Sequence, residues 1–284
     1  MARTLTILTM CAMVLAAGAV AQAAMVLHWK LDDTGTTFKE EVSGNTTNAV
    51  AVNTVTTGQP PLALGGGSSI ALTETSPGSY IDAGTLRSDG TYVAGSDASY
   101  RVLSGNYTVV AWTNQDTYSR YGDHIVVSSD WNSSNGWMLG VRSDKRTLFD
   151  FGNTRMYGSS ISEDTDYLIA VLFDSAGPFG GLRNRIAVWD GSTWTNTDAD
   201  INRGIRLQGL EIGSFGGDRQ MTGNVDDVRI YDHTLSLDEL DALVRQQEPL
   251  LEPTTLASWS SYRSLLKDRV SPMESPSSPR STSV

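Results

Sequence analysis

Residues 223–231, GNVDDVRIY, constrain the fold of this 284-residue chain more than any other stretch. Val225, Val228 and Ile230 are apolar and favour β-structure, and the carboxylates of Asp226 and Asp227 stand between them. A strand that carries two adjacent carboxylates and an arginine is an uncommon local pattern. The stretch therefore predicts a strand with two adjacent carboxylates.

A short helix is predicted directly after this strand. Asp232 and His233 interrupt the β pattern, and Ser236 with Glu239 three residues later matches a capping box, in which each residue satisfies a backbone N–H of the other. Four apolar residues then recur at helical spacing on one face: Leu237, Leu240, Leu243 and Val244. A strand, a turn and a capped helix are therefore expected to close the folded part of the chain.

The rest of the chain contains short apolar runs separated by turn residues, which is the pattern of an all-β protein. Residues 107–112 are apolar enough for burial on both faces, residues 167–173 predict a central strand, and residues 87–98 are interpreted as a polar surface loop. Their spacing predicts an antiparallel β-sandwich. The other predicted strands are residues 25–31, 38–42, 49–55, 70–72, 80–81, 125–127, 137–141, 147–151, 185–189, 193–194 and 207–212.

Residues 1–24 match a secretory signal peptide. Arg3 supplies a positive charge, residues 5–20 are apolar, and residues 21–23 form an A-x-A cleavage pattern, so the mature chain is predicted to begin at Ala24 or Met25. The alternative is an uncleaved membrane anchor, but the apolar run is short for a spanning helix, which needs about 20 residues. We expect a protein that is secreted or lies at the cell surface, with no stable membrane anchor after cleavage.

Cysteine content and charge limit the classes of function. The single cysteine, Cys11, lies in the predicted signal peptide, so no disulfide is expected in the mature protein, which fits an exported bacterial protein. Loss of Arg3 from the 21 basic residues leaves 20 against 32 acidic ones, a net charge of −12. Such a chain is not expected to bind nucleic acid or anionic lipid by electrostatics.

Residues 248–284 differ in composition from residues 25–247, which are predicted to form the folded domain. Five prolines are spread among many serines without a periodic apolar face, so we predict a disordered tail. Residues 251–257, LEPTTLA, resemble the start of a bacterial PEP-CTERM sorting signal. The polar residues 258–263 follow where such signals carry an apolar helix, so either a decayed signal or chance accounts for the match.

Several motifs in order along the chain resemble laminin-G-like domains of the concanavalin A-like jelly-roll superfamily. The most specific is GNVDDVRIYDHTLSLDEL at residues 223–240, which follows LEIGSFG at residues 210–216. Weaker motifs are VLHWKLDDTGT at 26–36, SGN at 43–45, YIDAG at 80–84 and NYTVVAW at 106–112. One departure is VWDG at 188–191, where such domains usually carry Tyr-x-Asp-Gly. The resemblance covers residues 25–247 and implies a jelly-roll β-sandwich with a short C-terminal helix.

The same superfamily includes glycoside hydrolases with a Glu-x-Asp-x-Glu strand, whose carboxylates share one strand face. No such triplet occurs here, since Glu211 has a glycine two positions later. Adjacent Asp226 and Asp227 are expected to point to opposite faces, and Asp164 and Asp166 are interpreted as turn residues. We therefore predict a protein without catalytic residues.

Nucleophile and zinc constellations are also missing from the sequence. The three histidines, His28, His124 and His233, are far apart, and neither a G-x-S-x-G nor an H-E-x-x-H motif is present. His28 is interpreted as a packed or solvent-facing residue rather than a metal ligand.

A structural Ca²⁺ is the cofactor that the resemblance implies. In the superfamily, an Asp that opens the terminal strand often helps to hold Ca²⁺ near the first strand. Asp226 matches that position, with Asp32 or nearby turn carbonyls as partner, and hard cations prefer such oxygen ligands. The alternative is that Asp226 and Asp227 pair with Arg229, with neighbouring arginines or with backbone amides at a sheet edge. Residues 196–204 resemble an EF-hand loop only superficially, and we interpret them as a polar hairpin.

Two loops beside the predicted strand 125–127 contain aromatic, amide and carboxylate groups of the kind that bind sugars by ring stacking and hydrogen bonds. The candidate ligand-binding residues are Tyr121, Asp130, Trp131, Asn132 and Asn135. The alternative is that Tyr121 and Trp131 fold back as loop anchors. We predict an exported, non-catalytic binding or adhesion module for a polysaccharide or other glycan. The alternatives are a divergent glycoside hydrolase and a structural surface protein without a small ligand.

Overall fold

A computed structural model describes residues 24–42, 48–62, 67–74, 78–116, 123–130, 136–152, 154–217 and 219–245. Within these ranges the chain forms two large antiparallel sheets, one two-stranded sheet and one helix. The predicted all-β sandwich with a short C-terminal helix is confirmed. The predicted tail and all of the predicted signal peptide except Ala24 lie outside the described residues. No helix in the described part of the chain is both long and apolar enough to span a membrane.

The first sheet has eight strands, and the last strand in the sequence lies in its interior. In spatial order its strands are β16 (Trp194–Ala199), β15 (Asn184–Trp189), β14 (Asp166–Asp174), β9 (Asn106–Gln115), β19 (Gly223–Tyr231), β5 (Ser69–Leu72) and β4 (Thr56–Gln59), with β1 (Met25–Trp29) also paired to β19.

The second sheet has nine strands. In spatial order they are β13 (Arg155–Ser160), β12 (Arg146–Asp150), β11 (Met138–Arg142), β10 (Asp123–Ser128), β18 (Leu210–Ile212), β6 (Tyr80–Leu86), β3 (Ala49–Val52) and β2 (Thr37–Phe38), with β7 (Tyr92–Val93) also paired to β6. The remaining strands, β8 (Val102–Leu103) and β17 (Ile205–Arg206), pair with each other.

Some strands of this arrangement were not predicted. β4 and β13 have weak apolar patterns, and β6 is longer than the predicted residues 80–81. The expectation that residues 87–98 form only a polar loop is wrong, because β7 lies within them. Tyr92 of β7 is 2% exposed and its hydroxyl donates a hydrogen bond to the carbonyl of Ala83.

The two sheets pack face to face around one large hydrophobic core, and a smaller core lies on the other face of the first sheet. Helix α1 (Leu237–Arg245) forms the smaller core, where Leu240 and Leu243 pack with Trp112 and Leu168. β9 and β14 are therefore buried on both faces, as predicted for residues 107–112. We call the face of each sheet that points away from the large core its outer face.

The capping box at the start of α1 is confirmed. The Ser236 N–H donates to Glu239 Oε2 at 2.8 Å, and the Glu239 N–H donates to Ser236 Oγ at 3.3 Å. The expectation that Leu237 shares the buried face is wrong, because its side chain is 49% exposed. Leu237 is the first residue of the helix, and the buried helix residues Leu240, Leu243 and Val244 follow one turn or more later.

Strand β19 bulges at Asp227, which corrects the expectation that simple alternation separates Asp226 from Asp227. Asp227 has a φ of 50°, and the pairing with β9 shifts register between Asp226 and Arg229. The extra residue allows Val225 and Val228, three positions apart, both to enter the large core. A regular strand would place one of them on the outer face.

Two basic side chains hold the bulged Asp227 carboxylate. His28 Nε2 on β1 lies 2.6 Å from Asp227 Oδ1, and Arg229 donates from Nε to Oδ1 at 2.8 Å and from Nη2 to Oδ2 at 2.6 Å. Burial raises the pKa of Asp227, but the hydrogen bond from His28 and the charge of Arg229 outweigh it, so the net pKa is lowered. The predicted alternative, that Asp227 pairs with Arg229, is confirmed, and His28 is a packed residue.

We expect Asp227→Asn to lower the free energy of unfolding by about 3 kcal/mol at neutral pH, because Arg229 loses its buried counter-charge. Since the pKa of Asp227 is lowered, its contribution is present above the ordinary value of 3.8 and is lost as the pH falls through the lowered pKa. Urea unfolding at neutral and acid pH measures both effects. Asp200→Asn is the control, because the Arg183–Asp200 pair is partly exposed and is worth less than about 1 kcal/mol. Equal losses in the two variants would contradict the prediction.

Candidate functional site

A cleft of about 670 Å³ lies on the outer face of the second sheet. Ile81 and Leu210 belong to the large core, so their neighbours Asp82 and Glu211 point to the opposite side. Loop residues before and after these strands complete the walls. The side chains used in the argument below are Tyr80, Asp82, Asp130, Glu211, Phe215 and Arg219.

A β-bulge at Gly84 brings the two central carboxylates side by side. Leu210 pairs with Gly84, but Glu211 pairs with Asp82, so β6 contributes one extra residue. Gly84 has a φ of 71°, and a Cβ there would lie 2.3 Å from the Val93 carbonyl oxygen, so only glycine fits. The Gly84 N–H also donates to Asp82 Oδ1 at 3.0 Å. Without the bulge, Glu211 would lie opposite a core residue instead of Asp82.

Glu211 is held by hydrogen bonds rather than by a cation. Its Oε2 accepts from the Ser214 hydroxyl and, at 3.2 Å, from the Gly217 N–H. Burial raises the pKa of Glu211, these hydrogen bonds oppose the shift, and the charge of Asp82 adds to it. Within the described ranges, no Lys, Arg or His nitrogen lies within 4.0 Å of either carboxylate. The centre of the cleft therefore holds two carboxylates without a paired cation among the described residues.

Asp130, a predicted ligand-binding residue, lies in the wall of this cleft. Its Oδ1 is 3.5 Å from Nη2 of the buried Arg206, and its Oδ2 accepts from the Ser96 hydroxyl at 3.5 Å. Its backbone N–H donates to the Gln208 carbonyl at 3.0 Å. These contacts hold the Asp130 carboxylate beside the cleft and match its charge.

The other predicted ligand-binding residues lie outside the described part of the chain, so their roles stay predictions: Tyr121, Trp131, Asn132 and Asn135.

Aromatic and cationic groups line another part of the cleft. The Arg219 guanidinium carbon lies 5.7 Å from the centroid of the Phe215 ring, and Arg219 Nη1 lies 3.3 Å from Asp123 Oδ2. Tyr80 is on the same face of β6 as Asp82, and burial followed by the charges of Glu211 and Asp82 raises the pKa of its phenol. The cleft therefore offers the rings of Tyr80 and Phe215 for stacking against a ligand, and its own carboxylates can accept hydrogen bonds from that ligand.

The predicted calcium ligands have other contacts. Asp226 is 2% exposed and its Oδ2 accepts the Leu62 N–H at 3.2 Å, while Asp32 Oδ1 accepts the Ser68 N–H at 2.7 Å. The part of the chain that the structure describes holds no group of three or more His, Cys, Asp or Glu that could bind a metal ion. The calcium site stays a prediction from the resemblance.

Carboxylates of two other acidic segments form hydrogen bonds across neighbouring strands. Asp198 pairs with Arg185 across β15 and β16 at 2.7 Å, so residues 196–199 belong to one arm of a polar hairpin. Asp164 lies in a turn before β14, as predicted, but Asp166 is the first residue of β14 and accepts from Asn114 at 2.7 Å, which corrects its prediction as a turn residue.

Sequence reasoning missed most of the cleft. Glu211 was rejected because its own strand has no second carboxylate, and Asp82 was not considered. A local signal existed, since a polar residue stands between two core residues in both Ile81-Asp82-Ala83 and Leu210-Glu211-Ile212. Their pairing depends on a contact between distant parts of the chain and on the bulge at Gly84.

A family model described as the concanavalin A-like lectin/glucanases superfamily matches residues 87–241, which is more than half of the 284 residues. No curated protein matches the sequence. Among solved structures, Trypanosoma rangeli sialidase in complex with sialic acid is similar with a TM-score of 0.52 and 13% identity, over 78% of this chain and 33% of that chain. The botulinum neurotoxin serotype G binding domain has a TM-score of 0.52 and 14% identity, over 79% of this chain and 51% of that chain.

The chain therefore spans about a third of the sialidase and about half of the toxin domain. At these identities the likeness shows the fold alone.

We expect Glu211→Gln to raise the free energy of unfolding at neutral pH. The raised pKa means that the folded state favours the protonated Glu211 carboxyl. The contribution of this carboxyl to the free energy of unfolding is therefore fully present below the ordinary value of 4.5 and is lost as the pH rises through the raised pKa. The gain from the neutral amide should therefore disappear well below 4.5. Urea unfolding at neutral pH and at a pH well below 4.5 measures the gain in the free energy of unfolding. The exposed Glu163→Gln is the control and should give no gain at either pH. A gain of equal size at both pH values would exclude a protonation effect.

Proposed function

The chain belongs to the concanavalin A-like lectin/glucanase superfamily, and from this premise we propose that it is an exported, non-catalytic carbohydrate-binding module. The cleft on the second sheet is the proposed site for a polysaccharide or other glycan. The observation that carries the proposal is the cleft, whose volume of about 670 Å³ is within the usual range for ligand sites. Tyr80 and Phe215 offer ring faces for stacking, and the carboxylates accept hydrogen bonds from sugar hydroxyls.

Two further points agree with this role. The predicted signal peptide directs the chain out of the cytoplasm, where extracellular polysaccharides are accessible. Among the similar structures, one is a sialidase in complex with sialic acid and another is the botulinum neurotoxin serotype G binding domain. The negative net charge argues against nucleic acid as the partner.

The binding proposal predicts that Tyr80→Ala and Phe215→Ala each weaken glycan binding about tenfold, which corresponds to a stacking contribution of about 1.4 kcal/mol. A glycan array selects the probe, and isothermal titration calorimetry then compares the variants. Phe179→Ala is the matched control, because Phe179 is a partly buried aromatic residue that packs on the smaller core. The proposal fails if no glycan binds, or if Phe179→Ala weakens binding as much as Phe215→Ala does.

A glycoside hydrolase is the second candidate, because Asp82 and Glu211 form a cross-strand pair. The Cβ atoms of such pairs are about 4.5–5.5 Å apart, and retaining hydrolysis needs carboxyl groups about 5–5.5 Å apart. The raised pKa of Glu211 suits it to protonate the leaving-group oxygen, while Asp82 would attack the anomeric carbon. Water would then hydrolyse the glycosyl ester, with Glu211 as the base.

The hydrolase candidate predicts that the wild-type protein releases reducing ends from the glycan that binds most tightly on the array. Asp82→Asn and Glu211→Gln should then lower the rate at least about a hundredfold, because general acid and nucleophile each contribute on that scale or more. Asp144→Asn, an exposed carboxylate that pairs with Arg146, is the control and should keep the wild-type rate. Tight binding without release of reducing ends would exclude the hydrolase and support the binding module.

A further inference from the structure

In the described part of the chain, some charged side chains around the cleft have an opposite charge nearby, and the two central carboxylates do not. The Arg219 guanidinium lies 3.3 Å from Asp123, a carboxylate that Arg142 and Arg155 also approach within 4.0 Å, and the Asp130 carboxylate lies 3.5 Å from Arg206. Arg219 and Asp130 therefore each have an opposite charge nearby. Asp82 and Glu211 have none among the described residues, although they are adjacent across the strands. Their hydrogen bonds come only from neutral donors, which satisfy lone pairs but do not cancel a full charge.

The two carboxylates also lie in a shaped, partly desolvated cavity rather than on an open acidic surface. Both side chains are partly buried, and the walls include the Tyr80 and Phe215 rings. Electrostatic interactions are stronger in such a place than in bulk water. The neighbouring Tyr80 ring adds an attraction for cations through its π face.

The distances along β6 match a small cyclic ligand. Tyr80 and Asp82 are two residues apart on one strand face, which separates them by about 6.6–6.8 Å. A ring that stacks on Tyr80 can therefore direct one substituent to the space between Asp82 and Glu211. A substituent that carries a positive charge and several N–H donors would meet both carboxylates there.

We propose that the cleft selects amino sugars, and that a primary ammonium group of the glycan binds between Asp82 and Glu211 while its ring stacks on Tyr80. This inference rests on the proposed carbohydrate-binding function and names the ligand class. Sugars with a carboxylate are disfavoured, because like charges in a partly desolvated site repel. The expected ligand therefore differs in charge from sialic acid, which the similar sialidase binds in its complex.

The test compares three soluble oligosaccharides by isothermal titration calorimetry on the full chain. A glucosamine tetrasaccharide carries ammonium groups, its N-acetylated counterpart has the same backbone without charge, and a galacturonate tetrasaccharide is anionic. We expect the glucosamine form to bind about tenfold more tightly than the N-acetylated form, and the galacturonate form to bind most weakly. Added salt should weaken the binding of the glucosamine form more than that of the N-acetylated form, because it screens charge.

Two variants assign the preference to the proposed residues. Asp82→Asn and Glu211→Gln should each reduce the ratio of the two dissociation constants several-fold, whereas the exposed Asp144→Asn should leave it unchanged. Circular dichroism confirms that each variant is folded before titration. Equal or tighter binding of the N-acetylated form overturns the inference while the carbohydrate-binding function stands. No binding of any array glycan overturns both.

Discussion

Two β-bulges decide which side chains reach the large core and which reach the cleft. At Asp227, an extra residue in β19 keeps Val228 in the core after Val225. At Gly84, an extra residue in β6 places Glu211 opposite Asp82 on the outer face. Because side chains alternate with a period of two, a strand without its bulge would exchange its faces from that point onward. Core packing and the geometry of the site therefore depend on the same structural device.

The carboxylates beside these bulges have different surroundings. The Asp227 carboxylate contacts His28 and Arg229, so its negative charge is matched where it is buried and its pKa is lowered. Among the described residues, the Glu211 carboxylate accepts hydrogen bonds from neutral donors only, and burial raises its pKa. A carboxylate whose ionised form is disfavoured by its own site gains from a ligand that brings positive charge or a proton. This contrast gives Asp227 a structural role and agrees with the ligand-binding role that we propose for Glu211.

Local patterns in the sequence predicted much of the fold but little of the site. The capping box of Ser236 and Glu239 involves residues three positions apart, and the apolar run of β14 requires burial wherever it lies, so both were found. Asp82 and Glu211 meet only after β6 and β18 pair, and their register depends on positive φ at Gly84. A search for carboxylates on one strand therefore rejected Glu211. Asp130 was selected for its local loop chemistry and lies in the wall of the cleft beside Arg206, which was not considered, and its ligand-binding role stays a prediction.

The position of the cleft follows from what covers the two sheets. Helix α1 packs on the outer face of the first sheet, where Leu240 and Leu243 meet apolar residues of β9 and β14. The part of that face under the helix is consequently apolar, while the ion pairs Asp227–Arg229 and Asp198–Arg185 lie elsewhere on the same sheet. The outer face of the second sheet carries Asp82, Glu211 and Tyr80, which are unsuited to a helix-covered core because burial of unmatched charge is costly. The two outer faces therefore differ in their cover: a helix packs on part of the first, whereas the carboxylates of the second line an open cleft, which is where we place the proposed ligand.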